Sequence, residues 1–147
     1  MTHFTVRNPD FKATVTDSFA TQGFMAHLGA ELTSVEPGQV QIEVAFRPEL
    51  SQQHDYFHGA VTAAIVDSSC GYSALTLMPT GSEVLTVEYK INLFAPAHGE
   101  RLVARGRVVR AGRTITVCHG DAYAVSDGKQ THCATVTTTM IRVDHSA

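Results

Sequence analysis

The sequence predicts an α+β domain: one long buried helix wrapped by a curved antiparallel sheet of five to six strands, with a further helix at the N-terminus. Three observations predict it. Residues 58–78 are mostly small and apolar, with no proline before Pro79, as in a helix buried on most of its sides. Residues 83–143 fall into alternating segments divided by short turns, as in an antiparallel sheet. Residues 8–23 place Phe11, Val15 and Phe19 near helical spacing, with Phe24 just beyond. A chain of 147 residues suits a single domain, 1–147, large enough to bury one core.

The elements follow in order. Asn8-Pro9 offers an N-cap and a proline at the first helical position, so the first helix is expected over 8–23. Gly23 and Gly29 are its stop signals. Two strands follow around the turn Glu36-Pro37-Gly38, the second alternating Val40, Ile42, Val44 and Phe46. The central helix spans 58–78. After Pro79-Thr80-Gly81 come "EVLTVEYKINLFAPA", with Leu85, Val87, Tyr89, Ile91 and Leu93 on one face, and "ERLVARGRVVRAG", with Leu102, Ala104, Gly106 and Val108 on one face. "RTITVCHGDAYAV" and "QTHCATVTTTMIRV" complete the sheet, joined by an Asp127-Gly128 hairpin turn.

Composition excludes several function classes. A formal net charge of −3 leaves no basic footprint for nucleic acid. No apolar run reaches the roughly 20 residues of a membrane span, and the N-terminus has no charged-then-apolar leader pattern, so the cytoplasm is the expected compartment. Cys70, Cys118 and Cys133 form no closely spaced pair and read as small core residues. His54, His58, His119 and His132 are scattered, so no metal is expected.

One acid stands out. Asp67 lies inside the apolar segment, directly after Ile65-Val66. A carboxylate there is costly to bury without a purpose, which makes it a candidate catalytic group; the plainer reading is an acid hydrogen-bonded to Ser68 or Ser69. Asp67 follows His58 by nine residues, two and a half helical turns, so the two sit on opposite sides of one helix. A helix starting at His58-Gly59 points free N–H groups outward, with the positive end of its dipole behind them. That suits a polarised carbonyl oxygen, although Gly59 also fits a tight loop-to-helix turn. His54 and Asp55 are near, and a polar loop accounts for them equally well.

The stretch "HGAVTAAIVDSS" resembles the hot-dog-fold acyl-CoA thioesterases, in the PaaI-like (phenylacetate-pathway) branch of the 4-hydroxybenzoyl-CoA thioesterase superfamily. The likeness extends through "LTVEYKINLFAPA", "RAGRT" and "DGKQTHCATVTTTMI", from about residue 20 to nearly the end. The family signature is an asparagine, a His-Gly-Gly six residues on, and an aspartate nine residues after the histidine. This chain has Gln52 for the asparagine, His58-Gly59-Ala60 for the His-Gly-Gly, and Asp67 at the matching place.

The resemblance implies hydrolysis of an acyl- or aryl-acyl-CoA to the acid and free coenzyme A. It gives the Gly59 N–H the carbonyl-donor role and makes Asp67 the nucleophile or general base. His58 orients rather than takes protons, Gln52 stands in the asparagine's place, and Thr86 orients the attacking water, where it is otherwise simply a good strand former. It implies a homodimer in which Asp67 of one subunit meets Gln52, His58 and Gly59 of the other, and then a dimer of dimers. Arg110, Gly112, Arg113 and Thr114 would hold the phosphates or the adenosine end of coenzyme A, which enters as part of the substrate; no separate cofactor is implied. Two other classes share the fold. A dehydratase or hydratase would carry a D-x-N-P-x-H run, which the chain lacks. A non-catalytic acyl-CoA-binding or regulatory module is consistent with the departures at Gln52 and Ala60.

Overall fold

The computed structural model describes residues 4–144. Two short helices, α1 (Phe11–Ala20) and α2 (Gly23–Leu28), precede strands β1 (Ala30–Glu36) and β2 (Gln39–Ala45). A single 3₁₀ turn, Pro48–Leu50, leads to the long helix α3 (Gly59–Leu75). Four strands follow: β3 (Ser82–Leu93), β4 (Arg101–Ala111), β5 (Ile115–Ser126) and β6 (Lys129–Asp144). All six strands form one antiparallel sheet in the order β1-β2-β4-β5-β6-β3. It wraps α3 in the hot-dog arrangement that the resemblance implies.

The sheet's inner face explains why the helix fits. Val40, Ile42 and Val44 of β2, Leu102 and Ala104 of β4, Cys118 and Ala122 of β5, and Ala134 and Val136 of β6 are all buried, every second residue along each strand. Gly106 of β4 pairs with Gly120 of β5 directly beneath α3. A Cβ on Gly106 would lie 2.4 Å from the Ser69 backbone, and one on Gly120 would lie 2.5 Å from Val66 Cγ1. The helix therefore rests on bare backbone. Gly106→Ala must push the helix off the sheet, because the obstacle is main chain. The expected loss is about 1–3 kcal/mol of unfolding free energy, read as a lower urea midpoint.

Three expectations need correction. The N-terminal helix expected over 8–23 is two helices. Asn8-Pro9 forms a turn ahead of them: Asn8 Oδ1 accepts from the Asp10 N–H at 3.0 Å, and Asp10 is the N-cap. Gln22 is extended, which separates α1 from α2, and its Nε2 donates to the buried Tyr72 hydroxyl at 2.7 Å. Ser18 of α1 also reaches that phenol, at 3.3 Å, so residues on both sides of the break partner it. Gly23 therefore opens α2 instead of ending α1, while Gly29, at φ 68°, ends α2 as a left-handed glycine does.

The central helix expected over 58–78 runs from Gly59 to Leu75, with His58 as its N-cap. Leu77 and Met78 continue in a tighter turn, their N–H groups bonding Ala74 O and Leu75 O, before Pro79. As expected, α3 is buried on most of its sides; along the remaining strip Ala60 is exposed, and Ala63, Ala64, Asp67, Ser68 and Gly71 are half-buried.

The third correction concerns β3. Its regular alternation is interrupted by a bulge between Thr86 and Glu88, which re-aims the side chains around Val87. β3 pairs only with β6 and forms an edge of the sheet. Residues 94–100 then return the chain to β4. Leu85, Val87, Tyr89 and Leu93 are all exposed on this edge strand.

Candidate functional site

The first part of the site is built at the start of α3. The loop before it is tightly pinned. Gln52 N–H donates to Tyr56 O at 2.9 Å, His58 N–H to Leu50 O at 2.8 Å, and Phe57 N–H to Ala97 O at 3.0 Å. Phe57 is buried edge-on against Phe46. Asp55 takes a left-handed backbone, φ 61°, which closes the turn. His54 donates its backbone N–H to Gln52 Oε1.

His58 caps the helix: its Nδ1 accepts the Ala60 N–H at 2.9 Å. That nitrogen is thus unprotonated and occupied, which suits an orienting histidine better than a proton acceptor. Val61 N–H and Thr62 N–H both bond to His58 O. Gly59 N–H is left as the first-turn donor without an acceptor among the described residues. It faces a cavity of about 320 Å³ lined by Gln52, Tyr56, Gly59, Thr62, Leu93 and Cys133. A Cβ on Gly59 would come within 2.9 Å of Leu93 Cδ1, so a side chain there would crowd the cavity wall.

The second part lies farther along the helix. Asp67 receives the Thr86 hydroxyl, at 2.9 Å to Oδ1 and 3.2 Å to Oδ2. The serine partners considered for it are not used; Ser69 donates to Val66 O instead. Burial pushes the Asp67 carboxyl above its ordinary range, and the Thr86 hydrogen bond offsets part of that rise. Asp67 and Thr86 line a cavity of about 320 Å³ together with Tyr72, Glu83, Leu85 and Met140. Ala60 belongs to this side: it borders a groove with Ala63, Ala64, Asp67, Phe24 and Tyr89, and it does not line the Gly59 cavity.

The structure therefore brings Asp67 to Thr86 and sets Gln52 and Gly59 on a second, separate cavity, which His58 does not line. Gly59 and Asp67 are eight residues apart, about 12 Å along the axis.

The arginine turn forms a third feature. Gly112 N–H donates to Ile115 O at 2.9 Å, and a Cβ there would lie 2.5 Å from that oxygen, so only glycine makes this turn. Gly112, Arg113 and Thr114 border a hollow that also receives Arg7 and Arg142. Arg142 N–H holds Thr114 O at 2.8 Å, and its guanidinium pairs with Asp144 at 3.2 Å. Arg110 is exposed near the strand end and does not border the hollow. Sequence reasoning missed Arg7 and Arg142, which lie far from the turn along the chain. It also missed Gln22 and Tyr72 beside Asp67. No local spacing signals either group.

Of the scattered histidines, His132 and His119 meet at one acid on the sheet's other face, at 2.8 and 3.4 Å from Asp121. Among the described residues, no group of three or more His, Cys, Asp and Glu side chains is placed to hold a metal ion. No described helix is long and apolar enough to cross a membrane.

Comparison with known proteins agrees with the fold. The family model of the thioesterase superfamily matches residues 54–131, from the loop before α3 into β6. The crystal structure of a thioesterase family protein from Silicibacter pomeroyi is 42% identical, covers 91% of this chain and 98% of its own, and superposes with a TM-score of 0.90. The PaaI protein of E. coli, from the phenylacetic acid degradation operon, shares the fold at 15% identity, with 93% of this chain and 96% of its own covered and a TM-score of 0.81. A thioesterase from Haemophilus influenzae shares it at 18% identity, with 97% and 93% covered and a TM-score of 0.77.

Proposed function

The chain belongs to the thioesterase superfamily, and on that premise we propose that it is an acyl-CoA thioesterase whose active site is shared by two copies of the chain. The observation that carries this reading is on β3. Near one end, Thr86 holds Asp67; at the other end, Leu93 lies against Gly59. β3 is an edge strand with an exposed apolar row, which invites pairing with another strand. Antiparallel pairing of two β3 strands about a two-fold axis between Tyr89 and Lys90 would set Thr86 of one protomer opposite Leu93 of its partner. The Asp67 of each would then approach the Gly59 of the other, and the half-buried strip of α3 would be covered.

In this reading the Asp67 carboxylate of one protomer takes a proton from water, and the water oxygen attacks the thioester carbonyl carbon. The partner's Gly59 N–H donates to the oxygen as negative charge develops. Collapse of the tetrahedral intermediate breaks the C–S bond; the acid leaves from one side, and coenzyme A leaves as a thiolate that picks up a proton. Thr86 fixes the carboxylate, and the raised affinity of Asp67 for protons makes it a better base than an exposed aspartate. The PaaI-like branch, the acyl- or aryl-acyl-CoA substrate and a dimer of dimers belong to this proposal.

The test is release of free thiol from a panel running from acetyl-CoA to long-chain and aryl-acyl-CoAs. Turnover of at least one member is expected. Binding of every member without hydrolysis would favour the non-catalytic reading that Gln52 and Ala60 keep open.

The same reading gives the exposed surface at Arg113, not the hollow of about 10 Å³ beneath it, to the phosphates of coenzyme A, since guanidinium suits phosphate. Arg113→Ala is expected to raise KM about 3- to 10-fold and leave kcat nearly unchanged, the pattern of lost uniform binding. Steady-state kinetics at two salt concentrations check it, with the wild type the more salt-sensitive.

A further inference from the structure

The two cavities of the site differ in chemistry. The Asp67 cavity takes polar wall from Ser18, Thr21, Gln22, Ser68 and Glu83. Gln22 and Ser68 also border the groove on the other side of Asp67, and both are half-buried. Gln22 donates its Nε2 to Tyr72, while its Oε1 has no partner among the described residues. Ser69, Ser73 and Thr76 bond back to helix carbonyls, the usual fate of a helical hydroxyl. Ser68 Oγ bonds to no described residue. The Gly59 cavity instead takes most of its wall from Phe57, Leu93, Ala95, Pro96 and Ala97. Leu93 is exposed and Ala95 half-buried, so neither is sealed off from that space.

The sheet register decides which cavity lies toward the coenzyme. Val84 pairs with Arg142 and Thr86 with Met140. Met140 pairs in turn with Thr116, and Arg142 N–H bonds to Thr114 O. Arg113 therefore lies level with the Asp67 cavity, two strands from β3, about 10 Å across the sheet. Leu93 pairs with Ala134, which lies about 20 Å from Met140 along β6, so the Gly59 cavity of the same chain is at the far end. A coenzyme held by its phosphates at Arg113 thus reaches the thioester along the Asp67 cavity. Its pantetheine arm carries amide and hydroxyl groups, which match Gln22 and Ser68. Beyond the reacting carbonyl, the acyl group meets the apolar wall of the partner's Gly59 cavity, as a hydrocarbon requires.

We propose that the site divides its substrate in this way. The pantetheine arm lies in the Asp67 cavity against Gln22 and Ser68. The acyl group enters the partner's Gly59 cavity, where Leu93 and Ala95 set its length. The inference rests on the thioesterase reading above and names its substrate class, the coenzyme A thioesters of hydrocarbon acids.

The measure is the ratio of kcat/KM for octanoyl-CoA to that for butanoyl-CoA. Ala95→Leu adds bulk to the Gly59 cavity and is expected to lower the ratio about 10-fold. Leu93→Ala removes bulk and is expected to raise it about 3- to 10-fold. Gln22→Leu and Ser68→Ala are expected to lower kcat/KM about 3- to 10-fold for both substrates, with the ratio within about twofold of wild type. In the wild type, 8-hydroxyoctanoyl-CoA should turn over about 10-fold less efficiently than octanoyl-CoA, since its hydroxyl meets mostly apolar wall. A ratio moved by Gln22→Leu or Ser68→Ala and unmoved by Leu93→Ala overturns the proposal, even where Ala95→Leu does not fold. A wild type that prefers the hydroxylated substrate overturns it too. A wild type that hydrolyses no acyl-CoA sinks the thioesterase reading and this proposal with it, whereas an active wild type with the reversed pattern removes only this division of the site.

Discussion

Asp67→Asn is expected to lower kcat about 10²- to 10⁴-fold and, at neutral pH, to raise the melting temperature. The two effects have one cause. Asp67 is partly buried, and burial holds its carboxyl above the ordinary range. The folded chain therefore keeps the proton on Asp67 to a higher pH than the unfolded chain does. Wherever the native state binds more protons, stability falls as pH rises. The penalty is absent below the unfolded value, about 3.9, grows through the window up to the raised folded value, and is fully present above it.

Asparagine carries no charge and can still accept the Thr86 hydroxyl. The stability gap between Asp67→Asn and wild type should thus be near zero at the acid end of that window, widen through it, and level off above it. Thermal melts across pH read this directly. Hydrolysis needs the carboxylate, so wild-type kcat/KM should fall as pH drops through the raised value. A variant that keeps wild-type turnover, or one less stable than wild type at neutral pH, contradicts the assignment of Asp67 as a buried base.

Mixed dimers give the second large effect. Asp67→Asn removes the base, and Gly59→Val places a side chain against Leu93, where the open N–H should be. Each variant alone is expected to be nearly inactive. In a mixed dimer one site carries both lesions and the other carries neither. Random exchange of equal amounts makes half of the dimers mixed, and each has one of two sites intact, so about one quarter of wild-type activity should return. Subunits are mixed after mild denaturation and refolding, and activity is followed against each variant refolded alone. If one chain held a complete site, mixing would restore nothing.

Legibility in the sequence divides along physical lines. Asp67 could be found because a lone acid among Ile65, Val66 and small residues conflicts with its surroundings. Its separation from His58 follows from helical geometry alone. The inward rows of β2 and β4 follow from alternation. By contrast, the meeting of Gln22 with Tyr72 depends on how the N-terminal helices pack on α3, and the partner of Asp67 depends on where β3 lies.

The central helix, the short turns, the alternating strands and the lone acid can all be read along the chain, since each is set by contacts within a turn or two. Packing alone puts β3 at the edge beside β6, Thr86 against Asp67, Leu93 on the Gly59 cavity, and Arg7 and Arg142 beside Arg113. A strand's period of two suits any neighbour. Which neighbour it takes, and so which distant side chains meet, is settled by how the whole sheet closes over α3.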